Sequence, residues 1–168
     1  RETADFPPQG RIAVIEMAAA SGLHLLSEQD RDPWETSTHG VGDMIARAVE
    51  LGADAILMGI GGSATNDLGL GVLQVLGLQF VDENDDPIER IRPASWHRLA
   101  RIDGKLRDLP PMRIACDVQN PLSGPSGATA IYGQQKGFAK KDLAGAEQKL
   151  VQVARLLTSE NGAEPSLL

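Results

Sequence analysis

The stretch "AILMGIGGSATNDLGLG", residues 55–71, joins a short apolar run to a glycine-rich polar turn and then to a helix-like pattern. The apolar run, bounded by turn residues, predicts a buried strand over 54–60. Leu68, Val72 and Leu76 recur at helical spacing and predict a helix over residues 64–76. A strand, a glycine turn and a helix in this order are typical of ligand-binding α/β folds.

The same alternation continues on both sides of this stretch. Apolar runs predict strands over 11–18, 78–81 and 112–118, and amphipathic patterns predict helices within 36–52 and 141–157. Residues 88–111 show no regular pattern and are interpreted as a surface excursion, and the Gly- and Pro-rich residues 119–137 as a long loop. The sequence therefore predicts a mixed, largely parallel sheet with flanking helices: residues 1–10 form a lead-in, 11–158 one α/β domain and 159–168 a tail or linker.

Composition and charge exclude several classes of partner. The 168 residues are 42% hydrophobic and carry a net charge of -7. The chain therefore lacks the excess of basic residues that binds nucleic-acid phosphates, and we expect no nucleic-acid partner. No apolar run approaches the ~20 residues needed to cross a bilayer, and we expect no membrane partner and a cytoplasmic location. Cys116 is the single cysteine and is interpreted as a small buried strand residue.

The glycine turn also fits a dinucleotide fingerprint. Residues 59–64 match G-x-G-x-x-A, and Asp82 follows the next strand at about the required ~20 residues. Against this, residues 63–67 place polar side chains where a pyrophosphate would bind, and the Asp67 carboxylate would repel a diphosphate. A Rossmann-like dinucleotide-binding domain of an oxidoreductase stays as an alternative, whereas a P-loop is excluded because its G-x-x-x-x-G-K-[ST] pattern is absent from the sequence.

Other polar and aromatic residues are interpreted as structural. Asp82, Asn84 and Asp86 alternate like calcium ligands, but Pro87 stands where the calcium loop needs Gly, so a hairpin turn is the better interpretation. The histidines His24, His39 and His97 show no metal-ligand spacing and are interpreted as structural or surface residues. The tryptophans Trp34 and Trp96 are interpreted as packing anchors for their loops.

Two polar loops follow predicted strands, "GGSATND" after Ile60 and "DVQNPLSGPSG" after Cys116. Ligands of open α/β sheets bind beyond the carboxyl ends of the strands. If these two strands are parallel neighbours, the two loops converge on one site.

The motif "GIGGSATND", residues 59–67, resembles the most characteristic motif of the bacterial glycerate kinases of the type without a P-loop. Further segments resemble that family in the same order: "EMAAASGL" at 16–23, "TSTHGVGDMI" at 36–45, "ACDVQNPLSGPSGA" at 115–128 and "YGQQKG" at 132–137. The resemblance implies ATP- and Mg²⁺-dependent phosphorylation of D-glycerate, usually at the 2-hydroxyl, by a two-domain α/β protein with its active site between the domains. By this resemblance the chain is the inserted domain, its partner is the remaining domain of the same polypeptide, and alone it is expected to be inactive.

The resemblance also implies roles for the polar residues of the two loops. Asp67 and Asp117 are the candidate catalytic residues, Asp117 being also a possible Mg²⁺ ligand, and Lys136 is the candidate phosphate-binding residue. The candidate substrate-binding residues are Gly61, Gly62, Ser63, Thr65, Asn66 and Asn120. Each charged residue has a structural alternative: Asp67 caps its helix, Asp117 ties down the Pro121 loop, and Lys136 is a solvated cation. A non-catalytic domain that binds a small hydroxy acid is the third hypothesis.

Overall fold

A computed structural model of the protein describes Phe6 and residues 9–160; the side chains of 159 and 160 are outside the description. The predicted lead-in and tail thus lie mostly outside the described residues. The strands are β1 (Ile12–Glu16), β2 (Ala55–Gly59), β3 (Leu78–Val81), β4 (Arg101–Gly104) and β5 (Met112–Ala115). The α-helices are α1 (Ala18–Ser21), α2 (His39–Glu50), α3 (Leu70–Val75), α4 (Ala128–Lys136) and α5 (Leu143–Glu160). Short 3₁₀ helices cover Leu23–Leu25, Glu28–Asp30, Pro93–Arg98 and Lys140–Asp142.

A parallel sheet with the strand order β1-β2-β5 positions the predicted loops. Ile12 of β1 lies opposite Ala55 of β2, and Ile56 of β2 lies opposite Met112 of β5. β3 and β4 form a separate antiparallel pair. The prediction of a mixed α/β fold with a parallel sheet and flanking helices is confirmed, and the loops after β2 and β5 leave the same edge of the sheet.

Two apolar clusters hold the described fold together. One packs α2 and α3 on the parallel sheet, with Ile15, Val41, Ile45 and Ile56 among its buried members. The other packs α3 and α5 on the β3–β4 pair around Phe80, which is fully buried. Burial of such side chains contributes about 1.5–3 kcal/mol each relative to exposure, so these clusters dominate the stability of the domain.

The prediction of a surface excursion over residues 88–111 is wrong. This segment contains β4 and the 3₁₀ helix Pro93–Arg98, and its residues Ile88, Ile91 and Trp96 are buried in the second cluster. Its apolar residues follow neither a helical nor a strand period because each enters the core from a differently shaped backbone segment. Periodicity therefore gave no signal there.

Three further boundaries differ from the prediction. The helix predicted over 64–76 begins only at Leu70, because Leu68 (φ 56°) and Gly69 (φ 72°) adopt left-handed backbone conformations that no helix continues through. Residues 119–137, predicted as a loop, contain α4. The strand predicted over 112–118 ends at Ala115, which leaves Cys116 exposed rather than buried.

The histidines and tryptophans lie in structural contacts or at the surface, as predicted, with His24 and His97 exposed. His39 connects the start of α2 to α3, since its ring nitrogens lie 2.8 Å from Ser37 Oγ and 2.7 Å from Gln74 Oε1. Trp96 is in the core, and Trp34 packs edge-on against Phe138 with ring centroids 5.0 Å apart. Within residues 9–160, no group of three His, Cys, Asp or Glu residues could hold a metal ion, and no helix there is sufficiently long and apolar to cross a membrane.

The turn after β3 is organised by Asp82, as the hairpin interpretation predicts. Its Oδ1 accepts hydrogen bonds from the backbone N–H groups of Asn84 (3.0 Å) and Asp86 (3.1 Å), and its Oδ2 accepts one from Arg98 Nη2 (2.8 Å). The hydrogen bond from Arg98, followed by those from the turn, lowers the pKa of Asp82 below its ordinary 3.8. The ionised carboxylate is thus the form that the fold favours.

Asp82→Asn is expected to destabilise the fold at neutral pH and to lose that effect in acid. Because the folded-state pKa is lowered, ionised Asp82 stabilises the fold above about 3.8, and the contribution disappears as pH falls through the folded-state pKa. Urea denaturation at pH 7 and in steps below pH 4 measures the gap in unfolding free energy between wild type and variant. Glu83→Gln, an exposed carboxylate of the same turn, is the control; a gap that stays constant with pH would contradict the assignment.

Candidate functional site

The loops after β2 and β5 meet at a cavity of about 340 Å³ beyond the carboxyl ends of the parallel strands. Its lining brings together five of the predicted site residues, namely Gly61, Gly62, Ser63, Asp117 and Lys136. An adjoining cavity of about 200 Å³ shares Ser63 and is lined by the remaining loop residues Thr65, Asn66 and Asp67. The expectation that the two loops converge is confirmed.

A larger cavity, of about 530 Å³, lies elsewhere, between the free edge of β1 and α2. Its lining is mainly apolar, with Val14, Met44 and Leu51 among its residues, and it contains none of the predicted site residues. Size alone therefore does not locate the site, whereas convergent polar groups do.

The glycine loop is anchored by the segment that follows β1. Ala64 N donates to Ser21 O (2.7 Å), and Leu23 N donates to Gly62 O (2.9 Å). Gly62 has φ +69°, a conformation that glycine adopts without strain. Within the described part of the chain, the N–H groups of Gly61, Gly62 and Ser63 have no acceptor. Three consecutive unpaired backbone donors beside a cavity suit an anionic ligand.

Side chains of α4 hold the next part of the loop. Lys136 Nζ donates to Ser63 Oγ (3.1 Å) and to Thr65 O (2.6 Å), and Asn66 Nδ2 donates to Thr129 Oγ1 (3.2 Å). Burial lowers the pKa of the Lys136 ammonium, and the negative charge of Asp67 opposes that shift in part. Lys136 is therefore not the solvated cation of the structural alternative, and whether it binds phosphate stays a prediction.

Asp67 is buried, and its carboxylate is occupied by donors from its own fold. Oδ2 accepts from Thr38 N and Thr38 Oγ1, both at 2.8 Å, and from Gly71 N at 3.4 Å; Oδ1 accepts from Gly69 N at 3.2 Å. These contacts tie the start of α2 to the start of α3. They support the capping alternative for Asp67, and its catalytic role stays a prediction.

Asp117 lines the larger site cavity, whereas Asp67 lines the adjoining one, and Asp117 is exposed. Its carboxylate has no hydrogen bond or ion pair with any residue in the described range, so the tie to the Pro121 loop is not observed. Asn120, by contrast, is engaged: its Nδ2 donates to Ser126 O (2.8 Å) and its Oδ1 accepts from Tyr132 Oη (2.7 Å). Asp117 is thus the unpaired acid of the site, while Asn120 shapes its loop.

The sequence analysis did not single out Thr129 or Tyr132, which hold the two loops from α4. Both residues stand in a segment rich in Gly, Pro and Ser that was predicted as a loop. Recognising α4 would have placed Thr129, Tyr132 and Lys136 at i, i+3 and i+7, a spacing that puts them near one side of a helix.

The site offers Mg²⁺ a single free carboxylate. Mg²⁺ in phosphoryl-transfer sites is commonly held by one or two carboxylates together with substrate phosphates and water. Asp117 fits that role as one oxygen ligand, and the other ligands would come from outside the described residues or from the nucleotide.

The fold and the site define the chain as an α/β domain with a glycine loop beyond the carboxyl ends of its parallel strands and no P-loop pattern in its sequence. The dinucleotide alternative is not supported: the first helix after the glycines starts ten residues beyond Ile60, at Leu70, rather than directly at the turn, and Asp82 is paired with Arg98. Residues 3–166 match the glycerate kinase family. The chain belongs to that family, and the resemblance found in the sequence is confirmed.

Individual relatives agree with this assignment. The chain is 39% identical over 158 residues to a glycerate kinase from Halalkalibacterium halodurans, covering 92% of this chain and 41% of that protein. It is 41% identical over 152 residues to the glycerate 2-kinase of Escherichia coli, covering 88% and 40%. The crystal structure of a protein described as a glycerate kinase 2 from Salmonella typhimurium LT2 matches with a TM-score of 0.81 and 39% identity, covering 89% of this chain and 41% of that chain. The chain thus spans about two fifths of the length of these relatives.

Proposed function

We propose that the chain forms the substrate side of an ATP-dependent glycerate kinase, and that the rest of the active site comes from the remaining domain of the same polypeptide. The observation that carries this proposal is one cavity with unpaired backbone donors at Gly61–Ser63 and an unpaired acid at Asp117. A small hydroxy acid such as D-glycerate has the complementary groups, a carboxylate and hydroxyls. The relatives from Halalkalibacterium halodurans and Escherichia coli, a glycerate kinase and a glycerate 2-kinase, support the same substrate.

In the proposed reaction the backbone donors and the Lys136 charge bind the glycerate carboxylate or a phosphate oxygen. Asp117 orients the reacting hydroxyl, for which the 2-hydroxyl is our proposal, and accepts its proton as that oxygen bonds to the γ-phosphorus of ATP and the bond from γ-phosphorus to ADP breaks. If Asp117 instead holds Mg²⁺, its carboxylate would be one oxygen ligand, and the bound ion would supply positive charge to neutralise the phosphates. A substrate such as ATP favours the cytoplasm as the compartment.

The test compares the full-length gene product with the 168-residue chain. We expect the full-length protein to release ADP from ATP and Mg²⁺ only when D-glycerate is present, and the chain alone to release none, because it spans only part of its relatives. NMR of the product distinguishes 2-phosphoglycerate from 3-phosphoglycerate. Binding of D-glycerate by the full-length protein without turnover would instead favour the non-catalytic hydroxy-acid-binding domain.

A further inference from the structure

One face of α4 points two side chains at the glycine loop. Thr129 and Lys136 are seven residues apart, or about two helical turns, and between them Gly133 is buried against Leu143 and Phe138. Thr129 is fully buried and bonds to Asn66, while Lys136 bonds to Ser63 and Thr65. The helix therefore contacts three of the four consecutive residues 63–66 through side chains.

The partners of Lys136 are unusual for a largely buried ammonium. A buried charge is costly unless it is paired, yet the hydrogen bonds of Lys136 go to a hydroxyl and a backbone carbonyl, not to a carboxylate. An ammonium group has three donors, and Lys136 uses two of them on the loop, while the third has no acceptor among the described residues. Lys136 also lines the site cavity. For stability alone, an apolar side chain of similar length would serve this position as well or better.

We propose that Lys136, besides offering its charge to a bound anion, is a positioning residue: it fixes the Ser63–Thr65 segment so that the N–H groups of Gly61, Gly62 and Ser63 stay unpaired and available to an anion. Thr129 supports the same segment through Asn66. This inference rests on the proposed function only in the identity of the anion, a carboxylate or a phosphate oxygen. The conformation of the loop is a property of the chain without any ligand.

The experiment uses the ¹⁵N-labelled 168-residue chain and Lys136→Met. Without ligand, we expect the amide signals of residues 61–66 to move and their hydrogen exchange to accelerate. The thermal midpoint should stay unchanged or rise, because the variant no longer buries a charge. In titrations with D-glycerate and with inorganic phosphate, binding should weaken by about tenfold or more, the loss expected when hydrogen bonds organised by a charged group are removed.

Lys140→Met is the matched control, since Lys140 is exposed and its side chain makes no hydrogen bond or ion pair with the described residues. Lys136→Met overturns the inference if the ligand-free signals of 61–66 stay at their wild-type positions. It also overturns the inference if anion binding falls no further than in Lys140→Met. If Lys136→Met does not fold, the same ligand-free amide signals are measured in Thr129→Val. We expect smaller shifts there, centred on Asn66. A full-length wild-type protein that binds neither probe would contradict the proposed function, and the ligand-free comparison would still test the positioning role.

Discussion

Asp117→Asn in the full-length protein is expected to lower kcat for glycerate phosphorylation by about 10²- to 10⁴-fold, the usual contribution of a positioned general base. The carboxylate of Asp117 lines the cavity and makes no hydrogen bond or ion pair with another described residue. It is therefore free to accept a proton. The amide has nearly the same shape and cannot accept that proton. The fold should be unaffected because Asp117 is exposed and makes no hydrogen bond within the described range.

Steady-state kinetics with D-glycerate and ATP separate the possible roles. A base removed from the reaction lowers kcat and leaves the KM for glycerate close to wild type, whereas a lost Mg²⁺ ligand is partly restored by raising the Mg²⁺ concentration. Asp108→Asn changes an exposed carboxylate outside the cavity and should behave as wild type. An unchanged kcat in Asp117→Asn would exclude Asp117 from the chemistry.

The sequence predicts the parts of the fold in which local pattern and packing agree. β2 is an apolar run because it is the central strand of the parallel sheet, and α2 has an apolar stripe because it covers that sheet. The position of the site follows from topology: polar loops after two parallel neighbours must meet at one edge. Gly61, Gly62, Ser63 and Asp117 were therefore predictable as a group before their contacts were known, whereas Lys136, on α4, was a candidate only through the family resemblance.

The rest of the site depends on long-range contacts that leave no local pattern. α4 packs a face of small and polar residues against the loop, including Thr129 and Gly133, so it shows no apolar period and was predicted as a loop. The main partner of Asp67 is Thr38, which is 29 residues away. Sequence spacing could show that Asp67 stands beside the glycines but not that its carboxylate is already occupied.

Asp67→Ala is expected to lower the unfolding free energy by about 3 kcal/mol or more, because it removes a buried charged acceptor and leaves buried donors unpaired. For a domain of this size that corresponds to a fall in Tm of roughly 6–12 °C. The donors left without an acceptor are those of Thr38 and the backbone N–H groups of Gly69 and Gly71. Thermal unfolding followed by circular dichroism measures the change, and Asp43→Ala, an exposed carboxylate on α2, should leave Tm nearly unchanged.

Asp67→Asn distinguishes the capping role from the catalytic role that the sequence predicts. If Asp67 is a cap, its carboxylate is surrounded by donors, and the NH₂ group of an asparagine faces at least one of them. Two donors cannot bond to each other, so Tm falls. In that case kcat falls only to the extent that the loop is displaced. As a catalytic base, the same substitution lowers kcat severely and leaves Tm at the wild-type value. Measured on one preparation of the full-length protein, a large loss of kcat at unchanged Tm would overturn the capping role, because four donors to one buried carboxylate cannot lose their acceptor without cost to the fold.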